Sequence, residues 1–247
     1  MLTEIPVEQL KDVVNDCAQV LLAETGIDRP PVDALLMAER LGLVVAQDQQ
    51  SDVRARFVRV GQPHRAARGT ILLADDPRPE RRHWAIAHEI GEFTVHRVFG
   101  ELGIERSDIA AGEREQMANH LANALLLPFE WFRADGFAVD WDLFELKQIY
   151  STASHELIAR RMLAMSPAVI VTLFDQGKCV WRKSNVLRRS PPLVPAESRT
   201  WQVARETCQP AQYECRDLPE GLRDVRCWPV HEPGWQREIL RTALEDW

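Results

Sequence analysis

The stretch ERRHWAIAHEIGEF at residues 80–93 decides the fold of this 247-residue chain. It follows the strand-like sequence TILLA and a turn that ends at Pro79, a residue favoured in the first turn of a helix. The spacing of its apolar residues predicts one long helix over roughly residues 80–97. On that helix His88 and Glu92 are four residues apart, so their side chains project from the same face.

Side chains four residues apart on a helix are the basis of the HExxH metal motif. In that motif two His side chains hold the metal, and the Glu beside the first His is the general base that activates water. This chain has His88, Glu89 and then Glu92 where the second His would stand. A carboxylate also binds Zn²⁺, or a harder metal such as Mn²⁺. A metal site that includes Glu92 is therefore possible, with a third ligand from elsewhere.

Two other His-Glu pairs occur in the chain, at residues 155–156 and 231–232. A His-Glu pair alone is weak support for a metal site, because the two residue types also meet by chance. Only the pair at 88–89 lies in a long helix that follows a strand and a turn. The other two pairs are predicted to be surface positions.

Two signatures in the chain resemble those of one peptidase family. The stretch at 80–93 resembles the active-site helix of the ImmA/IrrE metallopeptidases, which reads close to R-x-x-x-A-H-E-x-G-H. The stretch EQMANHLANALLLP at 115–128 resembles that family's second signature, E-x-x-A-N-x-x-A-x-x-L-L-x-P. The segments PPVDALLMAERLGLVV and YSTASHELIARRML also resemble family segments. The resemblance covers roughly residues 8–165.

The resemblance implies a set of site residues. It makes His88 a metal ligand, Glu89 the general base and Glu115 a further ligand. Glu92 stands where the family has its second His, and we predict that it is a ligand too. An extra carboxylate makes a loaded site less positive and shifts its preference from zinc towards manganese or magnesium. Zinc is the expected cofactor, with manganese as the alternative.

Three further residues are candidates for supporting roles at this site. Asn119, one turn after Glu115, could hold a ligand by a hydrogen bond. Tyr150 either faces the cleft, where it would stabilise an oxyanion, or packs at a helix end. His96 lies eight residues after His88, about 12 Å along the helix axis, which is too far to share the same ion.

The predicted fold is α+β. A small sheet packs against the two signature helices, as in zincin-like metallopeptidases, and a helical pair follows at 141–165. Around residue 166 the pattern changes, which predicts a metallopeptidase domain over 1–166 and a β-containing sensor or regulatory domain over 167–247. The second domain should contain a hairpin that turns at 175–178. Its last segment, QREILRTALED at 236–246, is predicted to be a helix.

Two features of the C-terminal region have alternative interpretations. Its cysteines and one histidine either bind a structural zinc or are buried free thiols, and they lack the close cysteine pair of most zinc modules. They are Cys208, Cys215, Cys227 and His231. Its tryptophans either form a core or line a ligand or single-stranded nucleic-acid surface. They are Trp181, Trp201, Trp228, Trp235 and Trp247.

The charge distribution favours a polypeptide or small-molecule target over DNA. Residues 1–165 contain 18 Lys and Arg against 26 Asp and Glu, and residues 166–247 contain 12 against 11. Basic surface supplies most of the affinity for DNA, so nucleic-acid binding is not expected for residues 1–166 but stays open for the C-terminal domain. The odd number of cysteines, five, and the lack of a long apolar run predict a cytoplasmic protein without a membrane span.

The favoured function is that of a metal-dependent endopeptidase. The resemblance implies a protein substrate, often a helix-turn-helix repressor whose cleavage turns on a stress, phage or mobile-element response. One alternative is an inactive pseudo-peptidase that binds a protein partner. Another is a DNA-binding regulator in which residues 143–164 form a helix-turn-helix and Arg160 and Arg161 approach phosphate.

Overall fold

The computed structural model describes residues 5–48, 55–60, 68–105, 109–213, 218–219 and 221–245. The helices are α1 (Val7–Glu24), α2 (Ala34–Arg40), α3 (Pro79–Glu101), α4 (Ala111–Leu126), α5 (Phe129–Ala138), α6 (Leu143–Ile149), α7 (His155–Met162) and α8 (Pro195–Thr207). The strands are β1 (Val44–Asp48), β2 (Ala55–Val60), β3 (Arg68–Ala74), β4 (Val169–Asp175), β5 (Lys178–Ser184), β6 (Ala211–Gln212), β7 (Leu222–Pro229) and β8 (Arg237–Leu244). Helices together with two separate sheets confirm the predicted α+β class. No helix in the described ranges is long and apolar enough to cross a membrane.

The chain forms two compact units. The first comprises the described parts of Met1–Ala138 with Gln148–Ser154, and the second comprises those of Val139–Lys147 with His155–Trp247. The division of the chain by function near residue 166 stays a prediction.

The first unit contains a three-stranded sheet with β3 in the centre. Strand β1 pairs with β3 in parallel, and β2 pairs with β3 antiparallel, with Phe57 opposite Ile71. Helix α3 packs against β2 and β3. Its start is tied to α2, because the backbone N–H of Ala34 donates to Nδ1 of His83 at 3.3 Å. The sheet therefore supports the motif helix on one side and leaves β2 at an edge.

Helices α3 and α4 approach each other closely at Gly91. A Cβ at Gly91 would lie 2.7 Å from the carbonyl oxygen of Ala118, well inside ordinary van der Waals contact. Ala118 is itself fully buried. The missing side chain therefore allows the contact that brings the two signature helices together.

The second unit is built on a five-stranded antiparallel sheet in the order β5-β4-β8-β7-β6. The predicted hairpin is confirmed by strands β4 and β5. Gln176 and Gly177 at its tip both have positive φ, at 50° and 76°, as the tight primed hairpin turns require. Helix α8 packs against β7 and β8.

The prediction of a helix over residues 236–246 is wrong, because β8 occupies this segment. Strand β8 lies between β4 and β7 and is buried along almost its whole length. A central strand that is covered on both faces shows no alternation of apolar and polar residues. Its polar side chains are paired instead: Glu238 accepts hydrogen bonds from Trp201 and contacts His231, and Thr242 donates to Glu197. Burial within the sheet therefore outweighed the helix propensity of the residues in this segment.

Candidate metal centre

Helix α3 supplies three acidic or imidazole side chains to one cleft. His88 and Glu92 lie one turn apart and are partly exposed, whereas Glu89 is only 7% exposed. The helical spacing of four residues places the first two on the cleft side. The apolar residues between and around them, such as Ile90, face the core.

Helix α4 supplies the third member of the cluster. Oε1 of Glu115 lies 3.5 Å from Nε2 of His88. One ligand atom each from His88, Glu92 and Glu115 can be chosen so that all three lie within 4.8 Å of one another. The structure therefore brings together the three residues that were predicted from the sequence to be ligands.

Asn119 fixes the orientation of the His88 ring. Its Oδ1 lies 3.1 Å from Nδ1 of His88, an arrangement in which the ring donates through Nδ1–H and keeps the lone pair of Nε2 for a ligand. Asn123, one turn further on, donates from Nδ2 to the backbone oxygen of Asn119 at 2.9 Å. Asn119 thus contacts a predicted ligand, and its supporting role at a metal site stays a prediction.

The chemistry of this donor set suits a divalent metal. One imidazole nitrogen and two carboxylates are common ligands of Zn²⁺, and the added carboxylate also suits Mn²⁺. In a tetrahedral site with bonds of about 2.1 Å, two ligand atoms are about 3.4 Å apart. The separation of 3.5 Å between His88 and Glu115 fits that requirement.

Glu89 lies beside the cluster in a more buried position. Burial raises the pKa of Glu89, and the nearby carboxylates of Glu92 and Glu115 raise it further, while His88 and the backbone N–H of Phe57 oppose the shift. The hydrogen bond from Phe57, on strand β2, also restrains the carboxylate. A carboxylate held this way is a better proton acceptor than an exposed one.

Glu92 has a cationic partner that the sequence signatures did not indicate. Nε of Arg114 lies 2.5 Å from Oε2 of Glu92, and Nη2 of Arg114 donates to the Glu92 backbone oxygen at 3.5 Å. Arg114 immediately precedes Glu115 on α4. Its position beside a predicted ligand was the one signal that could have drawn attention to it.

These side chains lie in a cleft of about 520 Å³. One wall is formed by strand β2 through Ala55, Arg56 and Phe57, and Trp84 lines the cleft one turn before His88. These four residues were not predicted from the sequence. Only Trp84 had a usable signal, its spacing of four residues from His88.

Comparison with known proteins identifies the family of this chain. The family profile Peptidase_M78, described as the IrrE N-terminal-like domain, matches residues 38–162, about half of the chain. The chain belongs to this family. No curated protein matches the chain. A solved structure titled "Mycobacterium tuberculosis transcriptional regulator" is similar in fold, with a TM-score of 0.65 and 16% identity, over 97% of this chain and 81% of that chain.

The IrrE N-terminal-like family is a family of metal-dependent peptidases. The match of this chain to its profile confirms the resemblance that the two signatures indicated. The match spans both of them. It also includes α7, which carries the His-Glu pair at 155–156.

Two predicted site residues of this IrrE-like region lie outside the cleft. Tyr150 is fully buried, its OH donates to Oδ2 of Asp135 at 2.7 Å, and its ring lies 5.4 Å from that of Phe132. It is thus a packed residue and does not line the cleft. His96 is exposed, with Nδ1 3.1 Å from the backbone oxygen of Phe93. It lies eight positions after His88 along α3, more than two turns away.

The surface prediction for the other two His-Glu pairs is wrong in part. Glu156 is half-buried and contacts Arg160, Arg237 and Trp181. His231 lies 2.8 Å from the fully buried carboxylate of Glu238. Both pairs are therefore used in the packing of the second unit.

The possible zinc site in the C-terminal region gains no support. Cys215 lies outside the described residues, Cys208 is exposed and Cys227 is buried. Burial, together with Glu238, raises the pKa of the Cys227 thiol, which disfavours the thiolate that a metal needs.

The described tryptophans of this region mostly pack against other groups. Trp228 is buried and donates to Asp142. Trp201 stacks on Phe174 with ring centroids 4.4 Å apart. Trp181 lies under Arg160, and only Trp235 is well exposed. Trp247 lies outside the described residues. This arrangement fits a core rather than a stacking platform.

Proposed function

We propose that this chain is a metal-dependent endopeptidase. The observation that carries the proposal is the convergence of His88, Glu92 and Glu115 from two helices, with the buried Glu89 beside them in an open cleft. Three carboxylates beside one imidazole and one arginine leave an excess of negative charge in the cleft, which a bound cation would offset.

The proposed catalytic roles follow from the position of each group. His88, Glu92 and Glu115 would hold Zn²⁺ or Mn²⁺, which when bound polarises the scissile carbonyl and acidifies water. Glu89 accepts a proton from the attacking water and delivers it to the amide nitrogen of the leaving strand, which keeps the proton balance of hydrolysis. Asn119 keeps the His88 ring in the ligating orientation.

The proposed substrate is a helix-turn-helix repressor. The signature resemblance to ImmA/IrrE peptidases supports this substrate class, and so does fold similarity to a protein titled a transcriptional regulator. Residues 167–247 would form the sensor or regulatory domain that controls cleavage in a stress, phage or mobile-element response. The free thiols of the described cysteines suit the reducing cytoplasm, where we propose that the protein acts.

One observation favours a second candidate, a pseudo-peptidase that binds a protein without cleaving it. The ion pair between Glu92 and Arg114 engages a predicted ligand with a fixed cation. If that pair persists in solution, the cleft would bind a partner but hold no metal. Metal content distinguishes the two candidates.

The contacts of Arg160 weigh against a DNA-binding role for residues 143–164. Its guanidinium is paired with Glu156 at 2.9 Å and lies 4.4 Å from the centre of the Trp181 ring. A phosphate contact would have to displace both partners. A mobility shift of duplex DNA that weakens steeply with salt would restore this candidate.

The proposal is tested with wild type, Glu89→Gln and a control, Glu130→Gln, using purified candidate helix-turn-helix repressors as substrates. Glu130 is an exposed acidic residue outside the cleft whose pair is with Arg133. Cleavage by wild type and by Glu130→Gln, but not by Glu89→Gln, is the expected result. Binding of a repressor without cleavage by any of the three proteins would favour the pseudo-peptidase.

A further inference from the structure

The carboxylate of Glu92 has two possible cationic partners, the guanidinium of Arg114 and a metal ion bound by the cluster. Its Oε2 contacts Nε of Arg114 at 2.5 Å, while the Glu92 carboxylate also belongs to the cluster with His88 and Glu115. Nη2 of Arg114 also donates to the backbone oxygen of Glu92. The Glu92 side chain is 17% exposed and that of Arg114 is 44% exposed, so the arginine approaches from the solvent side.

Among the described residues that line the cleft, Arg114 is the arginine that forms an ion pair with a carboxylate of the cluster, that of Glu92. The other arginine in the lining, Arg56, is paired with Asp48, with Nη2 3.1 Å from Oδ2. Glu92 and Glu115 both act electrostatically on Glu89, and Arg114 pairs with Glu92. Arg114 therefore offsets the charge of one of the three carboxylates, and a divalent metal bound to the same carboxylate would do the same.

We propose that Arg114 and a divalent metal compete for Glu92, so that this arginine sets the metal concentration at which the site loads. The inference rests on the proposed function, because it assumes that His88, Glu92 and Glu115 bind metal. Arg114 acts through Glu92 and is a positioning residue, not a catalytic one. In this chain the acidic residue in the second ligand position and the arginine beside the third ligand act as a pair.

Two effects of Arg114 on metal binding have opposite signs. As a hydrogen-bond donor it could hold Glu92 ready for the metal, and loss of such outer partners typically weakens metal affinity by about 10- to 100-fold. As a permanent cation it repels a dication that binds the same carboxylate. For a single charge and a dication roughly 6 Å apart, such repulsion amounts to about tenfold in affinity even at the dielectric of water, and partial burial strengthens it. A metal would also have to weaken a short, doubly anchored ion pair.

We expect the repulsive effect to be the larger one at Glu92. The spacing of four residues already places Glu92 on the same face of α3 as His88, so the loss of Arg114 should cost little in positioning. The ring of His88 is oriented by Asn119. Removal of Arg114 should therefore tighten metal binding.

The test measures dissociation constants for Zn²⁺ and Mn²⁺ by competition with a chromophoric chelator. Wild type is compared with Arg114→Gln, Arg114→Met, the charge-retaining Arg114→Lys, and Arg133→Gln. The last of these removes the same charge from an exposed pair on α5, outside the cleft. The full-length chain is used throughout, and thermal unfolding in chelator checks that each variant is folded.

The expected result is that Arg114→Gln and Arg114→Met bind metal about tenfold more tightly than wild type. Arg114→Lys should stay close to wild type, and Arg133→Gln should be unchanged. Metal-free Arg114→Gln should also melt at a lower temperature than metal-free Arg133→Gln, because the carboxylates lose their counter-ion.

Weaker or unchanged metal binding in both charge-removing variants would overturn the inference and leave the proposed function standing. Wild type and Arg114→Gln that are both folded, yet bind neither metal at saturating concentration, would overturn the proposed function and this inference with it.

Discussion

Nε2 of His88 lies 3.5 Å from Oε1 of Glu115, although the two residues belong to different helices. This separation depends on the contact between α3 and α4, which in turn depends on the absence of a side chain at Gly91. The metal cluster is therefore a product of helix packing, and both can be tested with the same substitutions.

Gly91→Ala should destabilise the chain and weaken metal binding. The new methyl group would lie 2.7 Å from the backbone oxygen of Ala118, so α3 and α4 must separate, at a cost of about 1–3 kcal/mol in the free energy of unfolding. Denaturant unfolding measures the first effect and chelator competition the second. Gly100→Ala in the same helix is the control, since a Cβ there meets nothing within 4 Å. Equal stability of the two variants would contradict the packing argument.

Asn119→Ala should weaken metal binding without a large loss of stability. The ring of His88 loses the acceptor at 3.1 Å that fixes its Nδ1 proton, and loss of such a partner costs about 10- to 100-fold in metal affinity. Titration with Zn²⁺ measures the change. Asn119→Asp, which keeps an acceptor oxygen, should retain most of the affinity.

The control for Asn119 is Asn123→Ala, one turn further along α4, whose side chain donates to the backbone oxygen of Asn119 and does not line the cleft. A Zn²⁺ affinity that falls equally in both variants would mean that the helix, and not the hydrogen bond to His88, is responsible.

Arg182→Ala should strongly destabilise the second unit. Nη2 of Arg182 lies 2.9 Å from each carboxylate oxygen of Glu197, and the side chain of Glu197 is almost completely buried. Removal of the arginine leaves a buried carboxylate without its cation, which costs about 3–5 kcal/mol. Denaturant unfolding followed by circular dichroism and tryptophan fluorescence measures this loss.

Arg133→Ala provides the comparison for Arg182→Ala. Arg133 forms an exposed pair with Glu130 three residues away, and such pairs contribute about 0.2–1 kcal/mol. The prediction for Arg182 would be contradicted by a loss of the same size in both variants.

Sequence was sufficient for the parts of the site that lie within the two signatures. His88, Glu89, Glu115 and Asn119 are each specified by a local pattern on one helix, and the structure brings them to one cleft. The pair of Glu92 with Arg114 could not be predicted in this way, because it joins two helices and depends on how closely they pack. Tyr150 illustrates the same limit: its OH meets Asp135 in the interior, which no pattern around Tyr150 indicates.

In the second unit the local pattern was a poorer guide. The hairpin of β4 and β5 has a short turn between strands adjacent in the sequence, and it was predicted correctly. Strand β8 pairs with β4, far away in the sequence, and with β7, so its identity is decided by tertiary contacts. Arg241 and Thr242 look like solvent-facing helical residues, yet both are buried in the central strand.

The most direct test of the metal centre is the metal content of the purified chain by native mass spectrometry after incubation with Zn²⁺ or Mn²⁺. We expect one metal ion per chain in wild type, none in His88→Ala or Glu115→Ala, and one in the control His96→Ala, whose ring lies outside the cleft. A folded wild-type chain that takes up neither metal, or a His88→Ala variant that retains it, would contradict the proposed metal centre.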